Sequence, residues 1–396
     1  MSSFLKIALP ALAIAGSASA ACNTTATLTI QNAGDATALA ACSTFSGSIA
    51  VATGTTDDIA FTSVKRITGD LVVADNSDIK RLSADTLDTI DGEMRLSGLT
   101  RLNAVDFPKL KTVESIKWDA LPNLQTIGFT SEVTKADKID IQNTALRSLK
   151  GINIEQADTI FIANNGYIDE IAMQLGNVTE SLTLANNNED LKVTLPNLIW
   201  AANLTFRFVG SLEMPSLETL NGSLGLYNNG FETFSAPNLT TIGEALALVA
   251  NEELSNLTFP QLTKISGNLQ IANNTNLTTI DGFPELTSIG GAFDISGNMS
   301  TVETPKLNSV KGAFNLQSTG NISDVCANFY KPLKDKKYIQ STKYLCQGAL
   351  VNPGQSGSKP TSQSGSGSSD KTGAATSLSA VNGALGLAAM AAVFLL

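Results

Sequence analysis

The sequence predicts an all-β solenoid of about fourteen coils, each about 22 residues long, with a disulfide capping each end. Three observations predict it: an even period, an alternation inside the period, and recurrent proline and glycine at fixed places. Aligned on the pattern small–apolar–x–apolar, strand starts fall at Leu28, Ile49, Leu71, Met94, Ile116, Ile139, Ile160, Leu182, Leu204, Leu224, Leu246, Leu269, Phe293 and Phe314, spaced 20 to 24 residues apart. A spacing held that evenly is the mark of a repeat architecture and outranks any local helix or strand reading.

The clearest copies read Leu217-x-x-Leu220-x-Gly222-x-Leu224-x-Leu226-x-x-Asn229 and Leu262-x-x-Ile265-x-Gly267-x-Leu269-x-Ile271-x-x-Asn274. The x-Gly-x-Leu-x-Ile stretch alternates with period two, so each coil carries a short strand with one buried face. Stacking strand on strand makes a parallel sheet along the whole body. Glycine recurs two residues before the strand at Gly47, Gly69, Gly92, Gly222, Gly267, Gly291 and Gly312, which suggests a tight corner that uses positive φ. Pro-x-Leu recurs at Pro108, Pro122, Pro196, Pro215, Pro237, Pro260, Pro284 and Pro305, eight of twelve prolines. Proline fixes φ and cannot donate a ladder bond, so it marks a second corner.

This grammar resembles the receptor L-domain, the leucine-rich right-handed β-helix of insulin- and growth-factor-receptor ectodomains. An ordinary leucine-rich repeat reads Leu-x-x-Leu-x-Leu-x-x-Asn. Here an extra x-Gly separates the first pair from the strand, which favours the L-domain type over the horseshoe. Thr130–Lys138 and Ile152–Thr159 break the frame; they are either loops thrown out of one solenoid or a seam between two L-domains. One continuous solenoid over 21–346 is the reading taken.

The ends extend it. Residues 1–20 combine Lys6, the apolar run Ile7–Ala15 and Ala18-Ser19-Ala20, which is the pattern of a cleaved secretory signal. Residues 347–372 are rich in Ser, Gly and Thr and lack the apolar side chains a core needs, as in a flexible stalk. Residues 373–396 hold small residues at Gly373-Ala374-Ala375, a spacer and the tail "ALGLAAMAAVFLL". This is a glycosylphosphatidylinositol (GPI) attachment pattern with Gly373 as the attachment residue and Ser369 and Asp370 as rivals. A chain on that route meets an oxidising compartment, so Cys22, Cys42, Cys326 and Cys346 read as disulfides rather than metal ligands. Fourteen coils make a body of roughly 60 Å, too long for a bridge between its ends. Cys22–Cys42 and Cys326–Cys346 remain, each stapling a terminal coil.

Asparagine serves two purposes. Five residues after the strand start stand Asn76, Asn165, Asn187, Asn229, Asn251, Asn274 and Asn298. Stacked inward amides can bond the turn backbone of their own and neighbouring coils, forming a ladder. The N-glycosylation pattern Asn-x-Ser/Thr occurs at Asn23, Asn177, Asn203, Asn221, Asn238, Asn256, Asn273, Asn276, Asn298 and Asn321, implying a sugar-coated surface. Only Asn298 belongs to both sets.

Composition removes several chemistries. The chain has no histidine, which excludes Ser-His-Asp and Cys-His catalysis and the usual zinc sites. A formal net charge of −10 disfavours a nucleic-acid partner. No cofactor motif is present. Carboxylate chemistry survives as a candidate at Asp169 and Glu170 beside Glu189 and Asp190, and at Glu232 beside Glu253, all in turns of adjacent coils. Solvated turn residues are the plainer reading of these acids. On the outward strand face, Arg207 and Tyr227 form one suggestive pair, read as a surface cation–π contact.

Signal, capped solenoid, stalk and tail together resemble the fungal GPI-anchored cell-wall proteins of the extracellular-mutant protein 33 group and the related sporulation-specific wall proteins. The N-terminal "ACNTTATLTIQNAGDATALAACSTFSGSIAVA" suggests the filamentous, Aspergillus-like branch. The resemblance implies a non-enzymatic role in wall organisation at the cell surface. Its expected partners are the outer leaflet of the plasma membrane, through the anchor, and wall glucan or other wall proteins. A receptor-like glycan- or peptide-binding module is the alternative, and a wall-polysaccharide enzyme a further one.

Overall fold

The computed structural model describes residues 22–354. The signal segment 1–20, most of the stalk and Gly373 with the tail lie outside the described residues. The fold is an all-β parallel solenoid. Every successive pair of the fourteen strand starts is in Cα register, from Leu28 opposite Ile49 to Phe293 opposite Phe314. One further strand, Tyr344–Gln347, extends the stack beyond Phe314. The frame-breaking segments stay inside it. Val133 bridges Ile152 and Thr112 bridges Lys135, while Val133, Ala136, Ile152 and Ile154 are buried. They are neither expelled loops nor a seam.

Each coil has the same anatomy. The main strand buries its first and third residues, as Leu246 with Leu248 and Leu269 with Ile271. After an Asn turn, a second short strand stacks in its own column, as Thr233–Ser235 on Asn256–Thr258. Then comes Pro-x-Leu, whose leucines Leu110, Leu124, Leu198, Leu217, Leu239, Leu262, Leu286 and Leu307 are all buried. A two-residue parallel pairing four residues before the main strand, such as Thr241–Ile242 on Lys264–Ile265, closes the coil. Burying each such aliphatic side chain contributes about 1.5–3 kcal/mol, so coils that could not fold alone hold one another. Aromatic rings stack along the axis in the later coils, with Phe259 over Phe283 at 5.3 Å and Phe293 over Phe314 at 4.6 Å.

Both ends are closed. The Ala33–Ala38 helix is N-capped by Asn32, whose side chain accepts from the Asp35 N–H; with Leu39 it buries Ala36 against the first coil. Cys22–Cys42 staples that end. At the other end the helical segments Val325–Tyr330 and Lys331–Asp335 press Tyr330 onto Phe314, with ring centroids 4.9 Å apart. Cys326–Cys346 ties them to the last strand. The core cluster of the described residues and both disulfides hold residues 22–354 together as one body.

The glycine column has a different cause from the expected one. Only Gly47 has positive φ, +133°. The others lie flat against the coil before them: a Cβ on Gly69 or Gly291 would sit 2.8 Å from the backbone of Gly47 or Gly267, and one on Gly267 2.6 Å from the Glu244 carbonyl. Stacking at about 4.8 Å leaves no room for a methyl group there. Gly291→Ala is expected to cost on the order of 1–3 kcal/mol through this overpacking. Gly166→Ala, where a Cβ meets nothing within 4 Å, is expected to be near neutral; chemical denaturation of both variants checks the contrast.

Candidate functional site: the outward turns and sheet face

The corner that ends the main strand organises this surface. Four residues after the strand start the backbone is left-handed in ten successive coils: Asp75, Gly98, Ala120, Asn143, Asn164, Asn186, Phe208, Asn228, Ala250 and Asn273. Seven of the ten are Asp, Asn or Gly, the types that tolerate positive φ. That column of Asp, Asn and Gly is the sequence signal of the corner. This corner swings the next residue inward, where the ladder asparagines stand.

The amides bond in series. Asn229 donates from its backbone N–H and its Nδ2 to Asn251 Oδ1 at 3.0 and 2.9 Å, and Asn251 does the same to Asn274 Oδ1 at 2.9 and 3.1 Å. Each Nδ2 also reaches back to a strand carbonyl, Phe206, Leu226 or Leu248. Asn165 bonds Asn187 Oδ1 in the same way, and Val209 separates the two runs. Asn76 stands apart, donating to Ala52 O and Thr55 O and accepting from the Asp78 and Ile79 N–H groups.

Asn298 is a correction: it is exposed and not part of the ladder. In its coil the strand continues to Gly297, which pairs with Ser318, and no left-handed corner follows. The alternation therefore carries Asn298 outward, and the buried Ser318 of the next coil fills the turn instead, donating to Met299 O. With Asn298 outside, every sequon asparagine is exposed except Asn177, whose Oδ1 is buried without a partner. Asn203 and Asn238 use Nδ2 to bond the preceding coil at Glu180 O and Pro215 O.

The candidate carboxylates lie in or beside open turns. All six are exposed, and the bonds around them run between coils and within one turn. Asp169 Oδ1 accepts from Asn188 Nδ2 at 3.0 Å, while the Asp190 N–H donates to Asn188 Oδ1 at 3.0 Å. Glu232 O accepts from the Ser255 N–H at 2.9 Å, and Glu253 Oε2 accepts from Asn276 Nδ2 at 3.5 Å. An open depression of about 390 Å³ is lined by Gln125, Phe129, Glu132, Arg147 and Lys150 among others, and includes none of the six. Among the described residues no cluster of His, Cys, Asp or Glu is placed to hold a metal ion. No helix among them is long and apolar enough to cross a membrane.

On the sheet face Arg207 lies 4.2 Å above the Tyr227 ring. The ring folds across Gly225 of its own strand, and burial there raises the Tyr227 pKa against the opposing pull of Arg207. Beside it Phe208 occupies a left-handed corner at φ +55° and stands 44% exposed. At the far end the chain folds back along the last coils, with the Leu350 N–H on Ser318 O and the Gly354 N–H on Gln317 Oε1. That return, beyond the repeat, carries no periodic signal.

The family model described as "Ecm33: GPI-anchored cell wall organization protein" matches residues 2–40. The protein ecm33 of Aspergillus fumigatus is 41% identical over 88% of this chain and 87% of its own length. A cell surface GPI-anchored protein of Arthroderma benhamiae is 39% identical over 88% of each. The cell surface GPI-anchored protein ECM33 of Candida albicans is 35% identical over 78% of this chain and 75% of its own. No solved structure matches the chain. Identity at this level over 88% of the chain establishes that it belongs to the Ecm33 family of GPI-anchored cell-wall organisation proteins.

Proposed function

We propose that this chain organises the fungal cell wall from the cell surface as a non-enzymatic scaffold, displayed on the outer leaflet by a GPI anchor at Gly373. The observation that carries this reading is the similarity, over 78% to 88% of the chain, to relatives named as ecm33 and as GPI-anchored cell-surface proteins. The described residues add physical support: a filled, end-capped solenoid with exposed sequons offers length and surface. Wall glucan and other wall proteins are the partners such a surface would meet. The acidic turns act here as solvated links between coils.

Complementation of a strain lacking this chain tests the reading. Glu189→Gln and Glu253→Gln forms are expected to restore resistance to wall-binding dyes fully, and a chain stopped after Pro360 to restore little. Failure of either Gln variant at normal surface abundance would instead indicate carboxylate catalysis.

A further inference from the structure

We propose that the terminal turn of the solenoid, residues 336–351, is a membrane-contact surface that seats on anionic phospholipid headgroups. The proposal rests on the anchored reading only for its geometry.

The two ends of the rod are electrically opposite. Residues 22–64 contain Asp35, Asp57 and Asp58 and no Lys or Arg, whereas residues 331–347 contain Lys331, Lys334, Lys336, Lys337 and Lys343 against the single Asp335. In a chain with net charge −10, this cationic end stands out. Two of its lysines are committed to the cap. Lys331 pairs with Asp335 at 3.1 Å, and Lys334 Nζ donates to the Ile339 and Ser341 carbonyls. Lys336, Lys337 and Lys343 are exposed.

These three share one turn with exposed apolar side chains. Six large hydrophobic residues are exposed among the described residues, and three of them, Tyr338, Leu345 and Val351, fall here. All are carried by the last coil: the Gln340 N–H bonds Val310 O, Tyr344–Gln347 pairs with the Phe314–Ser318 strand, and the Leu350 N–H bonds Ser318 O. Lysines interleaved with a tyrosine and aliphatic side chains match a lipid interface, where ammonium groups meet phosphates and apolar groups enter below them.

The chain leaves the body at this same end. Gly373 is 19 residues beyond Gly354, a reach of about 65 Å at full extension, so the basic end is the one tethered towards the bilayer. Lysines could alternatively guard a free strand edge, or meet the acidic end of a second copy. The opposite end closes without any, and residues 22–64 expose no large hydrophobic side chain to cover Tyr338, Leu345 and Val351. Both features favour the lipid surface.

The test is co-sedimentation of the chain ended at Pro360, which keeps the core of the described residues and both disulfides. Vesicles of phosphatidylcholine alone are compared with vesicles containing one-third phosphatidylinositol. Binding to the anionic vesicles is expected to be stronger by about tenfold or more, to weaken with added salt, and to be lost in the triple variant Lys336→Gln, Lys337→Gln, Lys343→Gln. A triple variant of equal charge change elsewhere, Lys65→Gln, Lys80→Gln, Lys109→Gln, should bind as the parent does. Equal binding to both vesicle types, or undiminished binding by the first variant, overturns the proposal. So does vesicle-independent assembly that the first variant dissolves, which would identify a copy-to-copy contact. The anchor is read separately, by release of the full-length chain from cells with phosphatidylinositol-specific phospholipase C.

Discussion

Asn251→Ala is expected to lower the unfolding free energy by on the order of 3–5 kcal/mol, because several buried groups lose their partners together. Asn251 Oδ1 accepts both the Asn229 N–H and Asn229 Nδ2, and Asn251 Nδ2 donates to Leu226 O and Asn274 Oδ1. Its side chain is buried, so water cannot replace those bonds. Asn298→Ala, at the same distance from its strand start but exposed, should change stability by less than about 0.5 kcal/mol. Chemical denaturation with residue-level hydrogen exchange checks both, and a small effect at Asn251 would refute the ladder's structural role. Glycopeptide mapping is expected to find sugar on Asn298 and never on Asn274, whose neighbours Asn273 and Asn276 head the sequons.

Phe314→Ala should cost about 3–5 kcal/mol as a cavity in the aromatic cap. Phe314 stacks between Phe293 at 4.6 Å and Tyr344 at 5.1 Å and meets Tyr330 at 4.9 Å, so it joins the last coils to the cap. The loss should be local at first, with hydrogen exchange rising in residues 314–350 before the central coils, since each coil contacts only its neighbours. Uniform exchange along the rod would contradict this. The same cap carries a pH signature. Burial, partly offset by the Thr304 hydroxyl, raises the Tyr330 pKa well above its ordinary value of 10.0. The folded state thus holds a proton that the unfolded chain releases first. The cap is at full strength below pH 10 and loses stability as pH rises beyond it; Tyr330→Phe should flatten that loss.

The coil was legible because stacking repeats one physical demand at each turn. Leu224, Leu246 and Leu269 had to be apolar, and the proline corners had to recur. Glycine at position 291 was also legible, yet its cause was not: dihedral freedom and lack of space leave the same letter in a sequence. Asn298 misled for a related reason. Counting five residues from Phe293 assumes a left-handed corner at Gly297, and only the pairing of Gly297 with Ser318 shows that the strand runs straight on.

The sequence by itself determined the period, the buried columns, the placement of the two disulfides at opposite ends and the resemblance to a wall-protein family. All of these are written in spacings along one chain. Tertiary structure decided which asparagines face inward, that the six acidic turn residues are exposed, and that lysines and exposed apolar side chains meet on the last turn. These depend on backbone handedness and on distances between residues about 20 positions apart. Local pattern records that such residues exist, but only the stacked coils set where their side chains point.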